Sequence, residues 1–189
     1  MIKSLFRLGC MALLVVIFSS GCAIISHYGP YYGKVVDAET KEPLAGAAVL
    51  AVYFTTSSGP GGTLSHYLDA QETVTDKNGE FRIPPLTVTT FRVLHGFDAH
   101  PKFTIFQPGY GWYPWHKDVK PIFPYESLPA DKYVTIELPR LKTKEERIRN
   151  TDHHPISVPD EKMRKLIELN NIERVNLGFD PSHVQEKKK

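Results

Sequence analysis

Cysteine is nearly absent from this chain of 189 residues, which has only Cys10 and Cys22, both close to the N-terminus. The rest of the sequence therefore has no disulfide framework, and it offers no thiolate as a catalytic nucleophile or as a zinc ligand. A domain built from the residues beyond Cys22 must be stabilised by its hydrophobic core.

An excess of charge of one sign is also missing. Lysine and arginine number 23, aspartate and glutamate number 21, and the formal net charge is +2. A chain without a basic excess has little electrostatic attraction for nucleic acid, so we expect no nucleic-acid partner.

Long hydrophobic runs are missing as well, and this bears on the N-terminus. The apolar stretch at residues 11–18 is too short for a transmembrane helix, which needs about 20 apolar residues. It follows Lys3 and Arg7 and precedes small residues at 19–21, an order typical of a cleavable signal peptide. We predict a signal peptide at residues 1–21, a tether at residues 22–30 and no transmembrane helix in the mature protein.

The end of the predicted signal peptide carries a short motif. Residues 20–22, Ser-Gly-Cys, resemble the lipobox of bacterial lipoproteins, although Ser19 stands where that motif commonly has an aliphatic residue. The resemblance implies lipidation at Cys22 and a lipid anchor in the membrane. Because Ala23 follows the cysteine, the resemblance also implies that the protein is located in the cell envelope, at the outer membrane and facing the periplasm. The alternative is an ordinary secretory signal cleaved near Cys22, which would leave a free thiol.

Short stretches rich in β-branched and aromatic residues recur from residue 31 to residue 140. In the last of them, Val134, Ile136 and Leu138 alternate with more polar residues, as a strand with one buried face requires. No long helical period interrupts these stretches. The sequence predicts a mainly β domain, a seven-stranded β-sandwich, with strands at residues 31–37, 47–55, 72–76, 80–83, 88–94, 103–106 and 133–138.

Two connections between these strands carry further signals. Residues 56–70 include many serines and glycines and predict a long flexible loop. Asn78 and Gly79 predict a tight hairpin in which both residues have positive φ. The segment from Asp76 to Gly79 also looks like the opening of a calcium loop, but the further acidic ligands of such a loop are absent from the sequence.

Four segments together resemble a known family. They are residues 33–37 (GKVVD), 40–49 (TKEPLAGAAV), 75–83 (TDKNGEFRI) and 108–110 (PGY). These segments resemble the carboxypeptidase regulatory-like domain over residues 31–140. The resemblance implies a transthyretin-like, seven-stranded Greek-key sandwich that serves as an accessory or interaction module.

Motifs for catalysis are missing from the sequence. His183 and Glu186 have the spacing of a metal-binding pair, but no third ligand accompanies them. Ser65, His66 and Asp69 fall in the predicted flexible loop, where nothing would hold them in register. We therefore predict that the protein is not an enzyme and that it uses no metal and no cofactor.

The chain becomes strongly charged after residue 140, and residues 141–189 predict a partly helical tail. Helices are expected at residues 142–150 and 159–176. Met163, Leu166 and Ile167 give the second helix an apolar stripe. Two interpretations stay open for this helix, which either packs on the side of the sandwich or binds a partner.

Both tryptophans of the chain lie in an aromatic segment interrupted by prolines. Because proline blocks regular strand pairing, the segment predicts an irregular surface loop whose rings could stack on a sugar or a peptide. We predict that Trp112 and Trp115 are at least partly exposed there. The alternative is that the rings cap one end of the sandwich against the C-terminal helix. The candidate binding residues are Tyr110, Trp112, Tyr113, Trp115 and Tyr125.

Two functions are consistent with this sequence. The first is a membrane-anchored envelope lipoprotein that acts as a non-catalytic binding or structural module, with an envelope protein or polymer as its partner. The second is an accessory carbohydrate- or peptide-binding subunit of a separate envelope hydrolase or transporter.

Overall fold

The computed structural model describes residues 24–59, 62–90, 95–122, 126–151, 155 and 157–181. The predicted signal peptide, the lipidation site Cys22 and the candidate binding residue Tyr125 lie outside these residues. Within the described part of the chain, no helix is long and apolar enough to cross a membrane.

The described residues form a mainly β structure, which confirms the predicted fold class at that level. Each of the seven predicted strands overlaps an observed one, and β1 and β7 are additional. The strands are β1 (Ile24–Tyr28), β2 (Tyr31–Asp37), β3 (Ala48–Gly59), β4 (Gly62–Val74), β5 (Glu80–Ile83), β6 (Leu86–Thr90), β7 (His95–Phe97), β8 (Lys102–Phe106) and β9 (Tyr133–Leu138). The helices are α1 (Lys144–Arg149) and α2 (Arg164–Leu177), and a short 3₁₀ turn at Asp160–Lys162 precedes α2.

The first sheet has the strand order β5-β2-β9. Strand β2 pairs antiparallel with β5 and parallel with β9, so the first and last strands of the predicted domain lie side by side. Gly33 permits the parallel pairing, because a β-carbon at this position would collide with the carbonyl oxygen of Val134. Alternate residues of β9 are buried, as the sequence pattern predicted.

Strands β1 and β6 extend the pairing of β2 with β5 in the same register. Tyr28 pairs with Leu86, and Tyr31 pairs with Ile83. The ladder is interrupted between these two pairs, where prolines at positions 30, 84 and 85 cannot donate backbone hydrogen bonds. The predicted tether at residues 22–30 is therefore corrected, because residues 24–28 form a paired strand.

The second sheet is built on β3, the long strand at its centre. Strand β4 pairs along one edge of β3. Along the other edge, β8 pairs with the inner half of β3, at residues 48–52, and β7 pairs with its outer half, at residues 55–57. The prediction of a flexible loop at residues 56–70 is wrong for its described part. Serine and glycine content suggested a loop, but the β-branched and aromatic residues between them support a ladder that continues from Ala48↔Val74 to Gly59↔Gly62.

The connection from β4 to β5 passes from one sheet to the other. Only Gly79 has positive φ there, and the Asp76 carboxylate accepts hydrogen bonds from the backbone N–H groups of Asn78 and Glu80. The prediction of a tight hairpin is therefore wrong. The side chain of Asp76 stabilises a turn that leads away from β4, since β4 pairs with β3 and β5 pairs with β2.

Two hydrophobic clusters lie on opposite sides of β3. The first fills the space between the sheets and joins Val35 and Ile136 to Val49 and Ile105. The second lies on the outer face of the second sheet and is covered by α2. Residues Ala48 to Tyr53 are all buried because each face of β3 contributes to one of the two clusters.

Helix α2 is fixed to the sheet by polar contacts as well as by its apolar stripe. Its first turn has no side-chain cap of its own. Instead, the carboxylate of Glu72 on β4 accepts hydrogen bonds from the backbone N–H groups of Lys165 and Leu166, at 2.9 and 2.8 Å. Of the two interpretations left open by the sequence, the structure shows the packed helix.

Candidate binding surface

Trp112, expected to be partly exposed, is fully buried. Its ring stacks on Phe106 with a centroid distance of 4.0 Å and an interplanar angle of 17°. Both rings belong to the cluster beneath α2, together with Met163 and Leu166. The exposure prediction for Trp112 is wrong because the C-terminal helix, which is distant in sequence, covers the outer face of the second sheet.

Tyr110 and Tyr113 are also buried, in the cluster between the sheets. The backbone of Tyr113 exchanges two hydrogen bonds with Ile105 on β8, so this part of the aromatic segment continues the second sheet by one bridge. Its hydroxyl donates to the carbonyl oxygen of Ser127 at 3.4 Å. The backbone pairing draws alternate rings of the segment into the two cores, and it leaves neither tyrosine ring available for stacking on a ligand.

Trp115 remains on the surface, with 42% of its area exposed. Its indole N–H donates to the Glu126 carboxylate at 3.3 Å, and the same carboxylate lies 3.8 Å from the ammonium of Lys102. The ammonium in turn lies 6.0 Å from the centre of the Phe54 ring. On this surface, defined by Trp115, Lys102, Glu126 and Phe54, a pair of opposite charges lies between two aromatic side chains.

A second exposed aromatic group lies on the outer face of the first sheet. The rings of Tyr32 and Tyr133 are 6.4 Å apart, and the guanidinium of Arg82 lies 5.9 Å from the centre of the Tyr32 ring. The Tyr133 hydroxyl donates to Glu80 at 3.0 Å. These four residues line an open groove of about 390 Å³. The sequence alone did not predict this groove, although alternation in β2 and β9 places both tyrosines opposite the buried residues.

Asp37 anchors a buried polar cluster at the end of β2. One carboxylate oxygen accepts the backbone N–H groups of Glu39 and Thr40, and the other accepts the Tyr110 hydroxyl and the Arg140 guanidinium, both at 3.1 Å. Burial opposes ionisation, but these hydrogen bonds outweigh it and hold the pKa of Asp37 below its ordinary value. Because the protein itself supplies donors to both carboxylate oxygens, the cluster joins the end of β2 to residues that follow β8 and β9.

We expect Asp37→Asn to destabilise the protein by about 2 kcal/mol at pH 7, because it weakens several hydrogen bonds to a buried carboxylate. Since the pKa of Asp37 is lower in the folded state, the folded chain binds fewer protons. Its stabilising contribution is present above the unfolded pKa of about 4 and is lost as the pH falls through the folded pKa. Urea unfolding of wild type and variant at pH 7 and pH 3 measures this.

The stability difference between the two proteins should shrink at pH 3. The exposed residue Asp118 offers the control, and Asp118→Asn should have little effect at either pH. A difference for Asp37→Asn that is the same at both pH values would contradict the assignment.

The described residues contain no group of three or more His, Cys, Asp or Glu side chains arranged to hold a metal ion. Ser57 and His66 lie 2.9 Å apart across the β3–β4 ladder, on an exposed surface. Asp69, the acidic residue nearest in sequence, accepts a hydrogen bond from the backbone of Ala70 and pairs with Lys162. Ser57 and His66 therefore form a cross-strand pair, while Asp69 is engaged with the Ala70 backbone and Lys162.

Comparisons with other proteins give no relationship for this chain: no family model matches it, and neither does any curated protein or any solved structure.

Proposed function

We propose that this protein is a cell-envelope lipoprotein, anchored in the membrane through lipid on Cys22, which acts as a non-catalytic binding or structural module. The observation that carries this proposal is the position of the cysteine. Cys22 stands between a segment with the features of a signal peptide and strand β1, which begins at Ile24. Only Ala23 separates the proposed acylation site from the folded domain.

The folded part of the chain suits such a role. Two sheets share one core, α2 is fixed on the outer face, and the buried polar groups of Asp37 and Glu173 are engaged with other parts of the protein. Among the described residues, features suited to recognition include exposed aromatic groups beside charges, at Trp115 and at the groove lined by Tyr32 and Tyr133. Such surfaces are suited to binding.

We expect cells grown with labelled palmitate to incorporate label into this protein at Cys22. Cys22→Ser should abolish the incorporation and release the protein from the membrane fraction, because a lipidated lipoprotein has several acyl chains and each buried methylene contributes about 0.8 kcal/mol. Cys10→Ser is the matched control, since Cys10 lies within the predicted signal peptide, and it should label like wild type. Equal labelling of wild type and Cys22→Ser, or no labelling of wild type, would overturn the proposal.

For the fold, the proposal is a carboxypeptidase regulatory-like domain, a transthyretin-like Greek-key sandwich. Its support is the resemblance of residues 33–37, 40–49 and 75–83, together with the two sheets that face each other across one core. Strand β1, strand β7 and the long ends of β3 and β4 would then be extensions of that sandwich. The outer face of the second sheet would be covered by α2.

The alternative is an accessory subunit that binds carbohydrate or peptide for a separate envelope hydrolase or transporter. One observation favours it, the exposed ring of Trp115 beside Glu126 and Lys102. An indole face provides area for stacking on a sugar ring or a peptide side chain, and the flanking charges can accept and donate hydrogen bonds.

A further inference from the structure

At one end of the domain, the described strand segments contain no charged side chain. This end comprises strands β1 and β6 together with the outer halves of β3 and β4, at residues 55–59 and 62–66. None of these residues is Asp, Glu, Lys or Arg, although those four types make up 23% of the chain. We call this region the uncharged end. Arg92, between β6 and β7 in the sequence, lies outside the described residues.

Contacts between the two sheets show that these strands project in one direction. At the opposite end, the Tyr110 hydroxyl, which follows β8 in sequence, donates to Asp37 at the end of β2. At the middle, the ring of Tyr31 lies 5.0 Å from that of Phe103, which pairs with Ala51.

The next level of contacts lies at the border of the uncharged end. The ring of Tyr28 lies 4.9 Å from that of Tyr53, and its hydroxyl donates to the carbonyl oxygen of Asp98 at 2.7 Å. The N-terminal part of β1 and the outer half of β3 therefore continue side by side beyond this level. Residue 24 and the tip of the β3–β4 hairpin therefore lie at the same end of the molecule.

The lengths of the strands allow the proposed anchor at Cys22 to reach the height of the hairpin. From Tyr53 to Gly59 the chain advances about 20 Å, and from Tyr28 back to Ile24 it advances about 13 Å, at about 3.3 Å per residue. Ala23 and Cys22 can add at most about 7 Å to the second distance. The lipid attached to Cys22 would then enter the membrane in the plane reached by the end of the hairpin.

The side chains of the uncharged end suit contact with lipid headgroups. Leu64 is 66% exposed and Ile25 is 58% exposed, and both lie in this region. Several of its polar groups pair with each other: His27 with Thr87 at 3.0 Å, and Ser57 with His66 at 2.9 Å. Surfaces without formal charge lose little solvation when a membrane approaches, and a paired polar group loses less than an unpaired one.

From these observations we propose that the uncharged end is a membrane-contacting surface. The β3–β4 hairpin rests on the bilayer that holds the lipid of Cys22, and Leu64 enters the headgroup region. This rests on the proposed lipidation of Cys22. This contact would also fix the orientation of the domain on the membrane. Trp115 and the exposed residues of α2 would then face away from the bilayer or along it. The short connection and the hairpin would together hold the domain upright on the membrane.

The test places a fluorescent label at single sites of the full-length lipidated protein. Wild type, once processed and acylated, would have no free thiol, so Leu64→Cys supplies a unique position for an environment-sensitive dye. Val175→Cys on α2 is the matched control, since Val175 is also apolar and is 56% exposed. Both labelled proteins are reconstituted into liposomes of phosphatidylethanolamine and phosphatidylglycerol, with or without nitroxide-labelled lipid, and recovered by flotation.

We expect the dye at position 64 to shift to shorter wavelength in liposomes and to lose about half of its emission to headgroup nitroxides, as an interfacial residue should. The dye at position 175 should show neither change. A protein that floats but whose position-64 dye is unquenched overturns this inference alone. Shifted emission without quenching indicates a protein contact instead and also overturns it, as does equal quenching at both sites. A protein that does not float with the liposomes overturns the proposed lipid anchor together with this inference.

Discussion

Trp112→Ala is expected to lower the free energy of unfolding by about 4 kcal/mol, the typical cost of truncating a buried tryptophan. The ring has no exposed area, stacks on Phe106 and lies beneath α2. Its removal would leave a cavity between β8 and the helix that neither element can close, because β8 is paired with β3 and α2 is capped by Glu72. For a chain of this size the loss corresponds to a decrease in Tm of about 10 °C.

Trp115→Ala provides the comparison within the same segment. This side chain is half-exposed and makes its indole hydrogen bond to Glu126 at the surface, so we expect a loss below about 1 kcal/mol. Thermal unfolding of both variants, followed by circular dichroism, separates the two roles. A stable Trp112→Ala protein would mean that the ring is not part of the core. A strongly destabilised Trp115→Ala protein would remove Trp115 from consideration as a recognition residue.

Loss of the Arg147 side chain is expected to have the second largest effect. Glu173 on α2 is buried, and its carboxylate accepts two hydrogen bonds from the Arg147 guanidinium at 2.7 and 2.6 Å and one from the Gly109 backbone at 3.1 Å. Arg147→Ala would leave a buried carboxylate without its counter-charge, which costs about 3 kcal/mol for a partly accessible pair. The effect should concentrate on α2, because this pair joins that helix to α1.

Urea unfolding of Arg147→Ala measures this loss, and Arg149→Ala in the same helix is the control because Arg149 is exposed. The double variant Arg147→Met with Glu173→Gln should recover about half of the lost stability or more, since it removes both charges. The glutamine keeps an oxygen for the Gly109 N–H group. If the double variant is as unstable as Arg147→Ala, the unpaired charge is not the cause.

The candidate site illustrates which conclusions a sequence supports. Composition marks the aromatic segment as unusual, but it does not determine which of its rings are exposed. The bridge of Tyr113 to Ile105 and the cover provided by α2 both depend on residues distant in the chain. Trp115 follows Pro114 and lies beyond that bridge, and its ring remains at the surface as predicted.

The sequence by itself determined those elements whose signals are local. Alternation of apolar and polar residues predicted β5 (Glu80–Ile83) and β9 (Tyr133–Leu138) with their observed bounds, because one buried face imposes a period of two. The capping box at Thr143 and Glu146 likewise makes the start of α1 a property of four successive residues.

Only the tertiary structure decided which surfaces are buried and which segments pair. Residues 56–70 have the composition of a loop, but residues 56–59 extend β3 and residues 62–70 belong to β4, and pairing of the two strands satisfies their backbone hydrogen bonds. Strand β1 and the cap that Glu72 gives to α2 have the same origin. Such contacts join residues far apart in the chain, so local composition cannot predict them. The same contacts place the uncharged strands together at one end of the domain.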